Sequence, residues 1–142
     1  TRLPHEEERR LGVTYRPFDA LLREVECVTL HAPLSPETER MFGAREFALM
    51  QPGAIFINTS RGGLVDEPAL TAALSSGHLS GAGLDVFARE PEVPLALKEM
   101  PNVVLCPHIG SADDKTRARM AARSIDNVIR VVSGDAPLDP LW

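Results

Sequence analysis

The chain has 142 residues, 44% of them hydrophobic and 25% charged, the balance of one ordinary globular domain rather than of a disordered tail. Fifteen Lys and Arg against 20 Asp and Glu leave a net charge of -5, which argues against a nucleic-acid partner gripped by its phosphates. No apolar run approaches the roughly 18 residues of a membrane span, and the charged opening TRLPHEEERR has no signal-peptide core, so no membrane partner is expected.

Short β-branched runs alternate with helical stretches along the chain. Strands are predicted over residues 13–15, 27–31, 54–59, 81–86 and 103–106. Most are continuously apolar rather than alternating, the pattern of a parallel sheet covered on both faces. Helices are predicted over 18–25, 36–42, 44–50, 67–77 and 113–133. Ser35, Pro36 and Glu37 read as a helix start. Gln51, Pro52 and Gly53 read as a stop before a strand. Asp66 before Glu67 and Pro68 opens another helix, and Gly77 closes it. Ser111 or Asp113 caps the last one, whose Ala118, Ala121, Ala122, Ile125, Val128, Ile129 and Val132 fall on one face. Strand–helix alternation predicts an α/β fold with a doubly wound parallel sheet and flanking helices.

Cys27 and Cys106 lie far apart in apolar runs and read as reduced core thiols, which places the protein in the cytoplasm. No metal-ligand spacing is present, so no metal is expected. His5, His31 and His78 have no setting that suggests chemistry and read as structural.

Three segments place polar residues at the carboxyl ends of apolar strands, where open α/β sheets bind ligands. In the first, Arg61 stands between Ser60 and Gly62, with room for a carboxylate to approach its guanidinium fork. Taken singly, it reads equally well as a surface arginine. In the second, Asp85 sits in an apolar strand, where it needs a hydrogen bond or a place at the strand end. Glu90 precedes a proline that holds its backbone extended. Each acid alone is more readily structural than catalytic. In the third, His108 follows Pro107 after a strand and precedes Gly110 and Ser111, a good setting for an acid/base group. Together the three are chemically coherent. The histidine moves a proton, the glutamate orients it, and the arginine anchors a carboxylate beside the reacting carbonyl.

Four stretches carry a family resemblance: LHAPLSPET (30–38), FINTSRGGLVDEPAL (56–70), GAGLDVFAREP (81–91) and PNVVLCPHIGSA (101–112). In this order and spacing the chain resembles the C-terminal part of the NAD(P)-dependent D-isomer-specific 2-hydroxyacid dehydrogenases, a group that includes glyoxylate/hydroxypyruvate reductases and D-3-phosphoglycerate dehydrogenase. The resemblance implies reduction of a small 2-keto acid to the D-2-hydroxy acid. It implies Arg61 as the substrate-binding arginine, Glu90 as the acid paired with the catalytic histidine, and His108 as the proton donor and acceptor. Asp85 would hold the nicotinamide carboxamide. Ala32, Pro33, Thr59 and Ser60 would line the cofactor cleft with Arg61. His108, Gly110 and Ser111 would line it from the last strand.

Departures from the family pattern qualify this. Cys106 stands where many members have threonine, and Ala88 replaces a frequent acid. Glu90, where formate dehydrogenases carry glutamine, separates the chain from those relatives. The family's glycine-rich phosphate loop, GxGxxG, is not in these residues. The expectation is therefore a partial Rossmann-like sheet lacking its first two strands. Residues 1–112 would form the C-terminal part of the NAD(P)-binding domain. Residues 113–142 would form a helix and tail returning toward a substrate domain. Such a piece is expected to be inactive alone and to belong to a homodimer when intact. Thr1 and Arg2 would fall in the loop that reads the adenosine ribose, and Arg2 favours NADP over NAD through a 2'-phosphate. A non-catalytic, co-repressor-like protein that senses nucleotide on the same fold is the alternative.

Overall fold

The computed structural model describes residues 3–140, so Arg2 lies outside the described residues. The chain divides after Pro107 into two compact units.

The first unit is built on a four-stranded parallel sheet: β1 (Cys27–Leu30), β2 (Ala54–Asn58), β3 (Leu79–Leu84) and β4 (Val103–Leu105). The strands lie in the order β1-β2-β3-β4. Val28 stands opposite Phe56, Phe56 opposite Ala82, and Ala82 opposite Val103. The helices are α1 (His5–Leu11), α2 (Phe18–Glu24), α3 (Ala44–Leu49), α4 (Glu67–Ser75) and the single turn α5 (Leu95–Lys98). The α/β class and the parallel sheet follow the sequence expectation.

One face of this sheet carries the core. Phe56 of β2 packs against Phe42 and Phe47, with ring centroids 4.9 and 5.2 Å away. Leu22 of α2, Leu70 and Leu74 of α4 and Leu97 of α5 close around them. On the other face Ile55 is 43% and Val104 67% exposed. The expectation of a sheet covered on both faces is thus corrected. The reason lies in handedness. Strands added one after another in a single direction, each through a right-handed crossover, bring every connecting helix to the same face. Cover for the other face needs strands wound outward from β1 in the opposite sense.

Other boundaries moved for local reasons. Residues 13–15 form no strand; Val13 and Tyr15 are half exposed and pair with no strand of the sheet. Residues 36–42 form turns rather than a helix. There the Thr38 hydroxyl donates to the Pro33 carbonyl at 2.7 Å and accepts from the Ser35 N–H at 2.8 Å, so side chains take over backbone partners. Arg40 then turns left-handed at φ 51, and its N–H donates to the Gly63 carbonyl at 2.9 Å. Helix α1 was not expected, although Glu6–Glu8 acids, Arg9, Arg10 and a left-handed Gly12 at φ 67 are ordinary helix start and stop signals.

The caps behave as read: the Asp66 carboxylate accepts from the Ala69 N–H at 3.0 Å and starts α4. His78 has a structural part. Its Nε2 lies 2.9 Å from the Phe47 carbonyl and 3.1 Å from that of Met50, at the end of α3. Both cysteines are free thiols, but Cys27 is exposed on the edge strand rather than in the core.

The second unit holds α6 (Asp114–Val132), capped by the Asp113 carboxylate, which accepts from the Thr116 N–H at 3.0 Å. The tail folds back on this helix. Arg123 donates from Nε and Nη2 to the two Asp139 oxygens at 2.7 Å each, and the Leu138 N–H donates to Asn127 at 2.6 Å. No residue of α6 is buried. No helix among the described residues is long and apolar enough to cross a membrane.

Candidate functional site

Because the strands are parallel and in sequential order, their carboxyl ends line up along one rim of the sheet. The predicted site residues of the first unit sit on the loops leaving that rim. Ala32 and Pro33 follow β1, Thr59 through Arg61 follow β2, and Asp85 and Glu90 follow β3.

The loop after β2 is organised by a residue that the sequence reading passed over. Asn58 ends the strand with its side chain on the buried face, two positions beyond Phe56. Its Oδ1 accepts from the Ser60 N–H at 3.0 Å, and its Nδ2 donates to the Arg61 carbonyl at 3.0 Å. One buried amide thus satisfies both ends of the bend. The Ser60 hydroxyl adds a bond to the Leu30 carbonyl at 2.5 Å, which ties this loop to the end of β1. The signal was available: a buried polar group at the end of an apolar strand must find partners. Thr59 stays exposed on the loop.

Arg61 itself is exposed, with its Nη1 donating to the Ser60 carbonyl at 2.6 Å. A short 3-10 turn, Gly62–Leu64, follows it. This exposure leaves guanidinium donors turned to solvent, where a carboxylate can take two of them in parallel.

Asp85 lies one residue past β3 rather than inside the strand, and it is buried. Its N–H donates to the Asn58 carbonyl at 3.0 Å, so β2 and β3 stay joined beyond their last paired residues. The following turn carries Glu90, which is exposed, and whose Oε1 accepts from the Phe87 N–H at 3.0 Å. Gly62 brings the two loops together. A Cβ placed on it would fall 1.9 Å from the Phe87 carbonyl carbon and 2.3 Å from the Ala88 nitrogen. The loop bearing Arg61 and the turn bearing Glu90 are therefore in backbone contact.

His108, Gly110 and Ser111 belong to the second unit. His108 has a left-handed backbone, φ 54, a conformation that histidine adopts more readily than most residues. All three are exposed, and the Ala112 N–H closes a turn onto the Ile109 carbonyl at 2.9 Å. Among the described residues, no group of three or more His, Cys, Asp or Glu is placed to hold a metal ion.

The donor set fits a nicotinamide nucleotide with a carboxylate substrate. A buried carboxylate, Asp85, sits at the sheet rim, and an exposed guanidinium, Arg61, lies on the neighbouring loop.

The chain is 50% identical over 129 residues to glyoxylate/hydroxypyruvate reductase B of Escherichia fergusonii, covering 90% of this chain and 40% of that protein. It is 47% identical over 137 residues to the glyoxylate reductase of Thermococcus litoralis, covering 96% of this chain and 41% of the relative. The chain thus spans about two fifths of the length of these relatives. Among solved structures it superposes on the NADPH-dependent glyoxylate/hydroxypyruvate reductase of Sinorhizobium meliloti in complex with NADP and malonate. That match has a TM-score of 0.91 and 39% identity, and covers 99% of this chain and 44% of the other. Residues 1–110 match the model of the D-isomer specific 2-hydroxyacid dehydrogenase NAD binding domain, and the chain belongs to that family.

Proposed function

We propose that this chain is the C-terminal part of a D-2-hydroxyacid dehydrogenase that reduces a small 2-keto acid of the glyoxylate or hydroxypyruvate type. In this reading residues 1–112 complete the nucleotide-binding domain, and 113–142 return toward the substrate domain. The protein works as a homodimer. Its cofactor is NADP or NAD, with NADP favoured by Arg2 and by the NADP held in the Sinorhizobium meliloti relative.

One observation carries the proposal: the contact at Gly62 that places the Arg61 loop against the Glu90 turn on the sheet rim. Arg61 anchors the substrate carboxylate and polarises the adjacent carbonyl. His108 gives the carbonyl oxygen its proton as the carbon is reduced, and takes it back in the oxidative direction. By its resemblance to the family, Glu90 is the acid partner of His108. Asp85 holds the carboxamide, with Ala32, Pro33, Thr59, Ser60, Gly110 and Ser111 along the cleft. When bound, the nicotinamide supplies the hydride. Malonate in the Sinorhizobium meliloti structure and citrate in a second structure of that protein are small carboxylates, as the substrate is here.

The test is steady-state oxidation of NADPH and NADH by the full-length protein with glyoxylate and hydroxypyruvate. Turnover that needs the keto acid and is lost in His108→Ala supports the proposal. A full-length, folded protein that binds NADPH but turns over neither acid overturns it in favour of the nucleotide-sensing alternative.

A further inference from the structure

The turn after β3 is clamped from outside itself. Phe87 is buried, but Ala88, Arg89 and Glu90 are all exposed, so apolar packing stops at Phe87. Beyond it the Ala88 N–H donates to Glu67 Oε1 at 2.8 Å, and the neighbouring Phe87 N–H donates to Glu90 Oε1 at 3.0 Å. Two carboxylates thus accept from consecutive amides of one turn.

Glu67 is the first residue of α4 but does not cap it. The Asp66 carboxylate does that, through the Ala69 N–H. The half-buried Glu67 side chain leaves its own helix and reaches a residue 21 positions along the chain. Helix α4 is a firm support, since Leu70 and Leu74 lock it into the core. A carboxylate accepting from a backbone N–H is among the stronger hydrogen bonds, and it fixes direction as well as distance.

We propose that Glu67 is a positioning residue for the reaction: it holds the 87–90 turn at a fixed height above the rim and so sets where Glu90 is presented. This rests on the reading of Glu90 as the partner of the acid/base histidine. What Glu67 holds is the Ala88 N–H. The effect of Glu67 on turnover runs through Glu90, so its loss affects the protonation step rather than carboxylate binding, which belongs to Arg61.

Two measurements test this together. In the full-length protein, amide hydrogen exchange at Ala88 is expected to speed up at least about tenfold in Glu67→Ala, the loss of one firm bond. Glu67→Gln keeps the oxygen acceptor and should retain most of the protection. In the full-length protein, Glu67→Ala should lower kcat for keto-acid reduction about 10–100-fold, the cost of a small misplacement. KM for the keto acid should change less than about twofold. The pH profile of kcat should be altered, and Glu67→Gln should restore most of the rate. If wild type turns over and Glu67→Ala keeps its kcat and pH profile, the positioning role fails and the proposed activity stands. A rise in KM at unchanged kcat also overturns it. If wild type does not turn over, the activity fails and this role fails with it.

Discussion

Gly62 and Phe87 meet backbone to backbone, and a single methylene on Gly62 would lie 1.9 Å from the Phe87 carbonyl carbon and 2.2 Å from its oxygen. Neither atom can move aside as a side-chain tip can, because both belong to the buried main chain leaving β3. Gly62→Ala should therefore push the Arg61 loop away from the Glu90 turn. Overpacking of this kind costs about 1–3 kcal/mol, and urea denaturation should show a loss toward the upper end. Gly63→Ala is the control. Its Cβ would come nearest to the Leu34 methyl groups, at 3.0 and 3.2 Å, which can rotate away. Equal losses in the two variants would refute the backbone contact.

Asn58 gives a second prediction. Its amide serves the Ser60 N–H and the Arg61 carbonyl from a position only 1% exposed. Asn58→Ala strands both backbone groups at the sheet rim, with an expected loss of about 2–3 kcal/mol. Asn58→Asp keeps the acceptor for Ser60 but loses the donor to Arg61, and it buries a charge. Both variants should lower stability in chemical denaturation. An Asn58→Ala variant as stable as wild type would show that water replaces the amide without cost.

The parts of this fold that could be read along the chain are those decided locally. β1 to β4 appear as apolar runs, and Asp66, Asp113, Gly77 and Gly134 mark helix ends with their own side chains or backbone. The errors share a cause. Residues 13–15 have strand composition, but a strand exists only when paired, and composition carries no partner. Residues 36–42 have a helix start, but the Thr38 hydroxyl and the pull of Gly63 on Arg40 decide the backbone there. The site divides in the same way. Arg61, Asp85, Glu90 and His108 stand out because charge at a strand end is visible in sequence. Asn58 and Glu67 act through partners that only the folded chain brings near, and the bond from Ala88 to Glu67 spans 21 positions. The same holds for sheet cover, since one-sided burial follows from strand order and handedness and not from the apolar runs themselves.

Arg61→Lys separates charge from geometry at the proposed substrate anchor. Lysine keeps the positive charge but has no planar fork for a carboxylate. Arg61 is exposed, and its carbonyl rather than its guanidinium is what Asn58 holds, so stability should hardly change. Activity should fall steeply. In the full-length protein kcat/KM is expected to drop by the equivalent of about 2–4 kcal/mol, comparable to removing an oxyanion-hole donor. Near-wild-type efficiency with the lysine in place would remove Arg61 from that role.

The tail of the second unit should respond to acid in a defined window. Asp139 is held down to about 2, first by the Arg123 side chain and then by the Asn127 amide. An unfolded aspartate titrates at about 3.9. A carboxyl whose folded value lies below its unfolded one adds stability that is complete above the unfolded value and is lost as pH falls through the folded one. The tail's attachment to α6 should therefore be intact at neutral pH, begin to weaken as pH drops below about 4, and be largely gone near the folded value. Arg123→Gln removes the leading cause, and Asp139 should then titrate closer to an ordinary aspartate. Carboxyl carbon shifts of Asp139 across this range, in wild type and in Arg123→Gln, provide the measurement. The pair is solvent-exposed, so added salt should weaken the effect. An Asp139 titration that Arg123→Gln leaves unchanged would mean that the arginine does not hold the tail.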